Sequence, residues 1–355
     1  MLYTFFNIIL YIKINIFLLF FLFYVTIFLF ESLKNKKYLK KYVSLQRTHQ
    51  GEVPRLGGII IYIFIILTNL VSIKSNLIFY ICISSIPLLL ISLKEDLFQN
   101  TSAYIRLIFM ILSIMIFFIL DKTRFPEINT YGMQLISNNY LVGILFFTFS
   151  ILVIINGMNF VDGLNGLLSL NLLSQLVVLY FLSYIFRDNQ FQIIFSLLII
   201  TIFVFLIFNF PSGKIFFGDL GAYFFAFMMS ILIIKFFEKH NEIISWNAVL
   251  ILFYPSFELL FSFTRKIFFL KKNPFLADPE HLHTLVYKLH LKSNKNLKNS
   301  NNLSTILLIF FWSSPIYVML FYDNLFALIF TIIVLSVIYI STYVFIYKRI
   351  KSNED

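Results

Sequence analysis

The sequence predicts an all-α fold, a polytopic membrane helical bundle with about eleven transmembrane helices. Of the 355 residues, 60% are hydrophobic and only 13% are charged, and the mean hydropathy is +0.88. A soluble domain cannot bury that much apolar surface. The apolar residues also occur in long runs separated by basic loops. Because lipid offers no partner to an open backbone, each run is expected to be a helix.

A membrane-spanning helix needs about 20 apolar residues, and about 17 is a practical minimum. The predicted spans are 5–30, 56–73, 77–93, 104–120, 140–157, 167–186, 191–209, 221–237, 245–263, 305–321 and 327–347. The first is followed by a basic loop rather than by a small-residue cleavage site, so it is predicted to be a signal anchor. We find no soluble domain and no internal repeat, and residues 1–355 are therefore expected to form a single integral-membrane domain.

The distribution of Lys and Arg predicts the orientation of these spans. Loops 31–55 and 264–304, together with the C-terminal tail, hold most of the 28 basic residues, which the positive-inside rule places in the cytoplasm. The N-terminus is then outside and the C-terminus is cytoplasmic. The same rule accounts for the net charge of +11, so no nucleic-acid partner is predicted. The predicted cytoplasmic segments are 31–55, 94–106, 157–166, 210–221 and 264–304.

Several of the few acidic residues lie where an apolar run meets one of these segments. A carboxylate beside hydrocarbon costs about 2.5–3.5 kcal/mol on insertion scales, which suggests that these residues serve chemistry. Glu95 and Asp96 end the third span, and such an adjacent pair suits a general base or a Mg²⁺ ligand. Taken alone, the pair is better explained as a solvated helix end with Lys94 as its partner.

The segment from Asn156 to Gly166 is the most informative of the polar segments. Asn156, Asn159 and Asp162 recur every three residues and should share one face at the inner end of a helix. Gly163 would then allow a ligand to approach the backbone closely. A polar loop between two spans is the alternative, but polar clusters at a membrane usually mark functional sites.

Asp219 opens the eighth span between Gly218 and Gly221. Asp is a favoured helix N-cap, and that alone explains many such residues. The flanking glycines favour a second interpretation, because they would let a phosphate or a metal ion approach. Mg²⁺ typically binds through one or two carboxylates together with substrate phosphates, and Asp219 suits this role.

The segment Asp278-Pro279-Glu280-His281-Leu282-His283 predicts a helix start, with Asp278 as the cap and Pro279 as the first helical residue. His281 and His283 would lie near the positive end of the helix dipole, where anions bind. Two residues apart, they would not share one helix face, which argues against zinc. The alternative is a solvated basic loop.

Two arginines and one further acid complete the candidates. Arg55 and Arg106 have the chemistry to clamp phosphates, although each, taken alone, is better explained as a positive-inside anchor. Glu258, near the inner end of the ninth span, is expected to pair with Arg265 in a structural role. Together the candidates imply a phosphate-bearing soluble substrate, and their place at the membrane suggests a lipid as the second substrate.

In order and spacing, over roughly residues 45–290, these segments resemble the bacterial polyprenyl-phosphate N-acetylhexosamine-1-phosphate transferases, a superfamily of the MraY and WecA type within glycosyltransferase family 4. The matching segments are Pro54-Arg55-Leu56-Gly57-Gly58, Glu95-Asp96 with Arg106, Asn156 to Gly166, Gly218-Asp219-Leu220-Gly221, and His281-Leu282-His283. Three positions depart from the family pattern. Glu95 stands for an Asp, Asn165 for an Asp near the nucleotide, and Thr284 for a third His.

The resemblance implies an enzyme of the bacterial inner (plasma) membrane with its active site on the cytoplasmic face. A polyprenyl phosphate, expected to be undecaprenyl phosphate, would attack a UDP-N-acetylhexosamine and release UMP. The form of the motifs is closest to members that initiate O-antigen or other surface polysaccharides. Mg²⁺, with Mn²⁺ as an alternative, is the implied cofactor.

The resemblance also assigns roles to individual residues. The catalytic set is Glu95, Asp96, Asp162 and Asp219. Asp219, with Asp162, would hold the metal, and Asp96, with Glu95, would orient or deprotonate the lipid phosphate. The substrate-binding set is Arg55, Arg106, Asn156, Asn159, Asn165, His281 and His283, in which Asn159 and Asn165 would contact the nucleotide and the Arg and His side chains would hold phosphates.

Two other classes of protein are compatible with a polytopic bundle. An ion-coupled or sugar-phosphate transporter would place its charged site near the bilayer midplane on broken helices, often within inverted repeats. An accessory membrane subunit would have no use for a cluster of carboxylates. The concentration of acids at one membrane face disfavours both.

Overall fold

The computed structural model describes residues 17–28, 53–128, 130, 132–271, 273, 278–294 and 296–352, and every regular element among them is a helix. The all-α prediction is therefore confirmed for this part of the chain. Most of the predicted loop 31–55, the start of the first predicted span and parts of loop 264–304 lie outside the described residues.

The helices are numbered in chain order. They are α1 Phe17–Phe28, α2 Gly57–Thr68, α3 Asn76–Ser84, α4 Ile86–Phe98, α5 Ala103–Asp121, α6 Gln134–Asn138, α7 Tyr140–Val161, α8 Leu167–Ile185, α9 Asn189–Asn209, α10 Gly218–Lys239, α11 Trp246–Ile251, α12 Phe253–Thr264, α13 Leu282–Asn294, α14 Leu297–Leu307, α15 Ile309–Trp312, α16 Val318–Phe321 and α17 Leu325–Lys351. Single π-helical turns extend α2 through Asn69–Ile73 and α12 through Arg265–Phe269.

Six helices in the described part are long and apolar enough to cross a membrane, namely α5, α7, α8, α9, α10 and α17. The pair α3 and α4, bent by 47° at Ser85, makes a seventh if it is one span. These helices confirm a polytopic helical membrane protein. The predicted count of eleven and the predicted orientation of the termini are not confirmed.

Two predicted spans are interrupted. The run 245–263 is divided at Leu252 between α11 and α12, and Pro255 lies in the first turn of α12, where its missing N–H is tolerated. The run 305–321 consists of the end of α14 followed by short turns, including a 3₁₀ turn that contains Pro315. Hydrophobicity predicted that both runs are apolar, but it did not predict that the helix is interrupted within each of them.

Helix α10 is the central helix of the bundle. In its span, 94% of the residues are buried, against 17% in α17. It packs against α2, α4 and α7. The approach of α2 is so close that a Cβ added to Gly58 would lie 2.3 Å from the Cα of Gly221, a use of small residues that is common between membrane helices. The N-terminus of α10 is thereby held beside the ends of its three neighbours.

Candidate active site

The site is built around the N-terminus of α10, where the segment before α2 pairs with the segment before α10. The Phe216 N–H donates to the Pro54 carbonyl at 3.0 Å, and the Gly57 and Gly58 N–H groups donate to Phe216 and Phe217 carbonyls at the same distance. This short backbone contact brings Arg55 to the first turn of α10. The Arg55 side chain is exposed and is therefore accessible to a ligand.

Asp96, from the end of α4, caps α10. Its two carboxylate oxygens accept hydrogen bonds from the backbone N–H groups of Asp219 and Leu220, at 2.9 and 3.0 Å. Gly218 makes this possible, because it has φ +71° and a Cβ there would lie 2.6 Å from Asp96 Oδ2. The cap joins Asp96 to Asp219 although 123 residues separate them in sequence.

Asp219 is oriented by two further side chains. Asn159 Nδ2 donates to one of its oxygens at 3.1 Å, and Arg106 Nη1 donates to the other at 3.4 Å. Arg106 also donates to the Tyr223 hydroxyl at 3.2 Å. Asp219 is thus held in a defined orientation by α5, α7 and its own helix.

Asp162 follows the last residue of α7 and faces the same cluster. Its carboxylate accepts no hydrogen bond from the residues that the structure describes. Burial raises the pKa of this carboxyl well above its ordinary value, and the charge of Asp219 raises it further, whereas Arg55 acts in the opposite direction. Three carboxylates therefore converge on two arginines, and one carboxylate is left without a hydrogen-bond donor.

This donor set fits a Mg²⁺ ion. Carboxylate oxygens are its preferred protein ligands, and it usually uses only one or two of them while its other positions are filled by water and substrate phosphates. Asp162 and Asp219 supply two such groups. In the described part of the chain no three His, Cys, Asp or Glu side chains are grouped as a ready-made metal site.

The two histidines lie beside the carboxylate cluster. The His281 ring packs on Phe160 of α7 with centroids 4.6 Å apart, and it stacks parallel to the His283 ring at 5.6 Å. The His283 ring lies against Gly163, where an added Cβ would be 2.2 Å from its Nε2. Burial lowers the pKa of His283 to about 4, so this ring is uncharged near neutral pH.

The predicted helix start at Asp278 is wrong, because α13 begins at Leu282. Asp278 instead accepts the N–H of Glu280 in a tight turn, the Ser262 hydroxyl and the guanidinium of Arg265. Burial alone would raise the pKa of Asp278, but His281, Ser262 and Arg265 together lower it to about 2. The ion pair with Arg265 fixes the segment that carries the histidines.

Three predicted site residues have other contacts. Glu95 accepts the N–H of Thr101 at 2.9 Å and so closes the loop after α4. Asn156 donates to the Leu152 carbonyl of its own helix at 2.8 Å. Asn165 is buried, donates its backbone N–H to Asn301 and accepts the Thr305 hydroxyl at its carbonyl. These contacts are all with residues outside the cluster formed by Arg55, Asp96, Arg106, Asn159, Asp162 and Asp219.

Two residues of the site were missed in the sequence. Tyr223 lies one turn after Asp219, and that spacing was the available signal. Glu258 was expected to pair with Arg265, which is wrong, because Arg265 binds Asp278 and Glu280. Glu258 contacts His281 instead.

Comparison with known proteins agrees with the family resemblance of the polar segments. A family model described as Glycosyl transferase family 4 matches residues 78–237. An undecaprenyl-phosphate alpha-N-acetylglucosaminyl 1-phosphate transferase of Thermotoga maritima is 31% identical over 239 residues, which cover 67% of this chain and 69% of the relative.

Two further relatives cover a similar share. A probable undecaprenyl-phosphate N-acetylglucosaminyl 1-phosphate transferase of Bacillus subtilis is 26% identical over 253 residues, 68% of this chain and 67% of the relative. A phospho-N-acetylmuramoyl-pentapeptide-transferase of Dictyoglomus thermophilum is 28% identical over 256 residues, 70% of this chain and 79% of the relative. The matched family segment includes Asp96, Asp162 and Asp219.

Proposed function

The chain belongs to glycosyl transferase family 4, and we propose on this premise that it transfers a sugar phosphate to undecaprenyl phosphate. Its donor is a UDP-N-acetylhexosamine. An oxygen of the lipid phosphate attacks the β-phosphorus of the donor, the bond from that phosphorus to the bridging oxygen breaks, and UMP leaves. The product is an undecaprenyl diphosphate sugar.

The convergence of Asp96, Asp162 and Asp219 with Arg55 and Arg106 at one end of the bundle supports this proposal. Phosphoryl transfer needs little covalent help from the protein, and it depends mainly on positioning and charge stabilisation. Arg55 and Arg106 have the charge and the accessibility to bind the diphosphate. Asp162 and Asp219 would hold Mg²⁺, with Mn²⁺ as an alternative, and the ion would neutralise negative charge on the diphosphate.

The second substrate is proposed to approach along the membrane. Asp96 lies on the last turns of α4, whose preceding residues form the apolar half of a bent membrane helix. A lipid phosphate that reaches this level meets the exposed Arg55 beside the α10 N-terminus, whose first backbone N–H groups are already capped. Asp96 occupies two of those N–H groups and so fixes Asp219, and Glu95 borders the same loop.

The remaining parts of the proposal concern location and pathway. The enzyme is proposed to lie in the bacterial inner membrane with its site on the cytoplasmic face, because basic residues concentrate in the loops on that side. It is proposed to initiate the synthesis of O-antigen or another surface polysaccharide. The Glu95-Asp96 form of the acidic pair supports this assignment.

The test is an assay of the purified full-length protein in detergent with Mg²⁺, undecaprenyl phosphate and a panel of UDP-sugars. Release of UMP with formation of a lipid-linked diphosphate sugar is expected for one N-acetylhexosamine donor. Asp219→Asn should stay folded and lose this activity. Chelation by EDTA should stop the reaction, and added Mg²⁺ should restore it.

The outcomes separate the enzyme from a transporter. If no sugar gives UMP and the wild type is as silent as Asp219→Asn, the proposed activity is wrong. Accumulation of a sugar phosphate inside sealed vesicles without UMP release would favour a transporter instead.

A further inference from the structure

A buried carboxylate outside the acidic cluster controls one of the site histidines. Glu258 lies on α12, is only 1% exposed, and receives three hydrogen bonds. Its Oε1 faces His281 Nδ1 at 2.9 Å and accepts the Leu282 N–H at 3.3 Å, and its Oε2 accepts the Tyr339 hydroxyl at 2.6 Å. The three partners come from the segment before α13, from α13 itself and from α17. One side chain on α12 is thus bonded both to the start of α13 and to α17.

The hydrogen-bond pattern determines which nitrogen of His281 carries a proton. Two of the three partners, the Leu282 N–H and the Tyr339 hydroxyl, donate to Glu258, and an ionised carboxylate can only accept. The third partner, His281 Nδ1, must then also be a donor. This leaves Nε2 as the only ring nitrogen of His281 that a ligand can use, and no described residue is bonded to it. A histidine held in this way by a carboxylate has a fixed tautomer and a fixed ring orientation.

The surroundings of the ring place it next to the acidic cluster. His281 packs on Phe160, two residues before Asp162, and it stacks on His283, whose ring lies against Gly163. The ring is therefore restrained by two aromatic side chains that border the cluster. The ring is 5% exposed, so rotation would require the surrounding packing to open.

We propose that Glu258 and Tyr339 are positioning residues, which hold His281 with Nδ1 protonated, so that Nε2 is the nitrogen that takes up a proton and donates a hydrogen bond to the substrate phosphates. Tyr339 orients the second oxygen of Glu258 and thereby couples α17 to the site. This proposal rests on the proposed function for its effect on turnover. The hydrogen-bond assignment itself can be measured without any activity.

The kinetic test measures kcat and KM for the UDP-sugar that the wild type uses. Glu258→Gln should lower kcat about tenfold to a hundredfold, the range seen when the carboxylate partner of a metal-bound histidine is removed, with KM changed less than threefold. Glu258→Gln combined with His281→Ala should be no slower than His281→Ala alone, because residues that act as one unit are not additive. If Glu258 had only a structural role, the double variant would be slower than His281→Ala, because the two losses of kcat would multiply.

A matched pair of tyrosines gives a control that does not depend on the folding of Glu258→Gln. Tyr343 lies one turn after Tyr339 on α17, and it is also buried, but its hydroxyl has no hydrogen-bond partner among the described residues. Tyr339→Phe should lower kcat about threefold to tenfold, since it removes one bond to Glu258. Tyr343→Phe should stay within about twofold of the wild type.

The second readout is the ¹⁵N spectrum of histidine-labelled protein in detergent. The chain has only five histidines, so His281 can be assigned from the signal that is lost in His281→Gln. The wild type should show a protonated Nδ1, and Glu258→Gln should shift proton occupancy toward Nε2.

The proposal is overturned if His281 Nδ1 is unprotonated in the wild type, or if Tyr339→Phe is no slower than Tyr343→Phe. A wild type that releases no UMP but shows the expected ¹⁵N pattern would remove the proposed function and keep the Glu258–His281 assignment.

Discussion

The two ends of α10 both carry clusters of charge, but the clusters are balanced differently. At the Lys239 end, each acid meets a cation: Asp121 binds Lys235 at 3.1 Å, Glu238 also binds Lys235, and Asp188 binds Lys239 at 2.7 Å. At the Gly218 end, Asp96, Asp162 and Asp219 share two arginines. Paired charges compensate one another without a ligand, whereas half-buried acids in excess of their partners cost stability unless a ligand supplies the missing charge.

Neutralising Asp162 is expected to give the largest effect, and it tests whether the Gly218 end of α10 has a functional role. Asp162→Asn should lower the rate of UMP release by about 10²–10³-fold, since it removes a carboxylate that is proposed to hold Mg²⁺ at the diphosphate. The thermal stability should be unchanged or higher, because burial and Asp219 already disfavour the ionised form. The measurements are initial rates and unfolding temperature in the same detergent. A variant that is active but unstable would show that Asp162 is structural.

Close packing at the Gly218 end offers a second test. Gly58→Ala should cost about 1–3 kcal/mol of stability and also lower activity, because the added methyl forces α2 away from Gly221 and moves Arg55. Gly143→Ala is the matched control, since its methyl would clash with Phe125 at the other end of the bundle. That variant should lose stability but keep its activity per folded molecule. Equal activity losses in the two variants would contradict the assignment of function to one end.

Removing an acid at the Lys239 end should have the opposite effect to Asp162→Asn, with a loss of stability and no loss of activity. Burial alone would raise the pKa of Asp188, but hydrogen bonds from Lys239, His240 and the Phe191 N–H hold it below its ordinary value. Asp188→Asn should therefore cost about 1–2 kcal/mol of stability at neutral pH and leave the rate per folded molecule unchanged.

The pH dependence of this loss has a definite sign. A carboxyl with a lowered folded-state pKa stabilises the fold above its unfolded pKa of about 3.9, and the contribution disappears as the pH falls through the lower folded value. The stability difference between wild type and Asp188→Asn should be full at pH 6 and should shrink below about pH 4. Chemical unfolding at several pH values measures it, and a difference that grows in acid would contradict the charge pairing.

The sequence predicted the location of the site better than its internal contacts. Asp96, Asp162 and Asp219 could be grouped because each ends or begins an apolar run on the same predicted face. The capping of α10 by Asp96 could not be predicted, because it joins residues 123 apart through a glycine with positive φ. Likewise, Arg265 was the nearer partner for Glu258 in sequence, but His281 is the partner in space.

The same limit applies to the fold. Long runs such as those of α7 and α9 were predicted within a few residues, because their length and hydropathy are sufficient. The break at Leu252 and the bend at Ser85 depend on local backbone geometry and packing, which a hydropathy pattern does not record.

The smallest expected effect separates two asparagines that the spacing rule treated as equivalent. Asn159 donates to Asp219, whereas Asn156, one turn earlier, donates to Leu152 in its own helix and approaches Met110 Sδ at 3.7 Å. Asn159→Ala should lower the rate about tenfold, because Asp219 loses an orienting bond. Asn156→Ala should change it by less than about twofold, since the lost bond satisfies a helix carbonyl that already has its backbone donor. If Asn156→Ala is as slow as Asn159→Ala, the Asn156 amide must turn toward the substrate during the reaction, and the functional surface extends further along α7 than the acidic cluster.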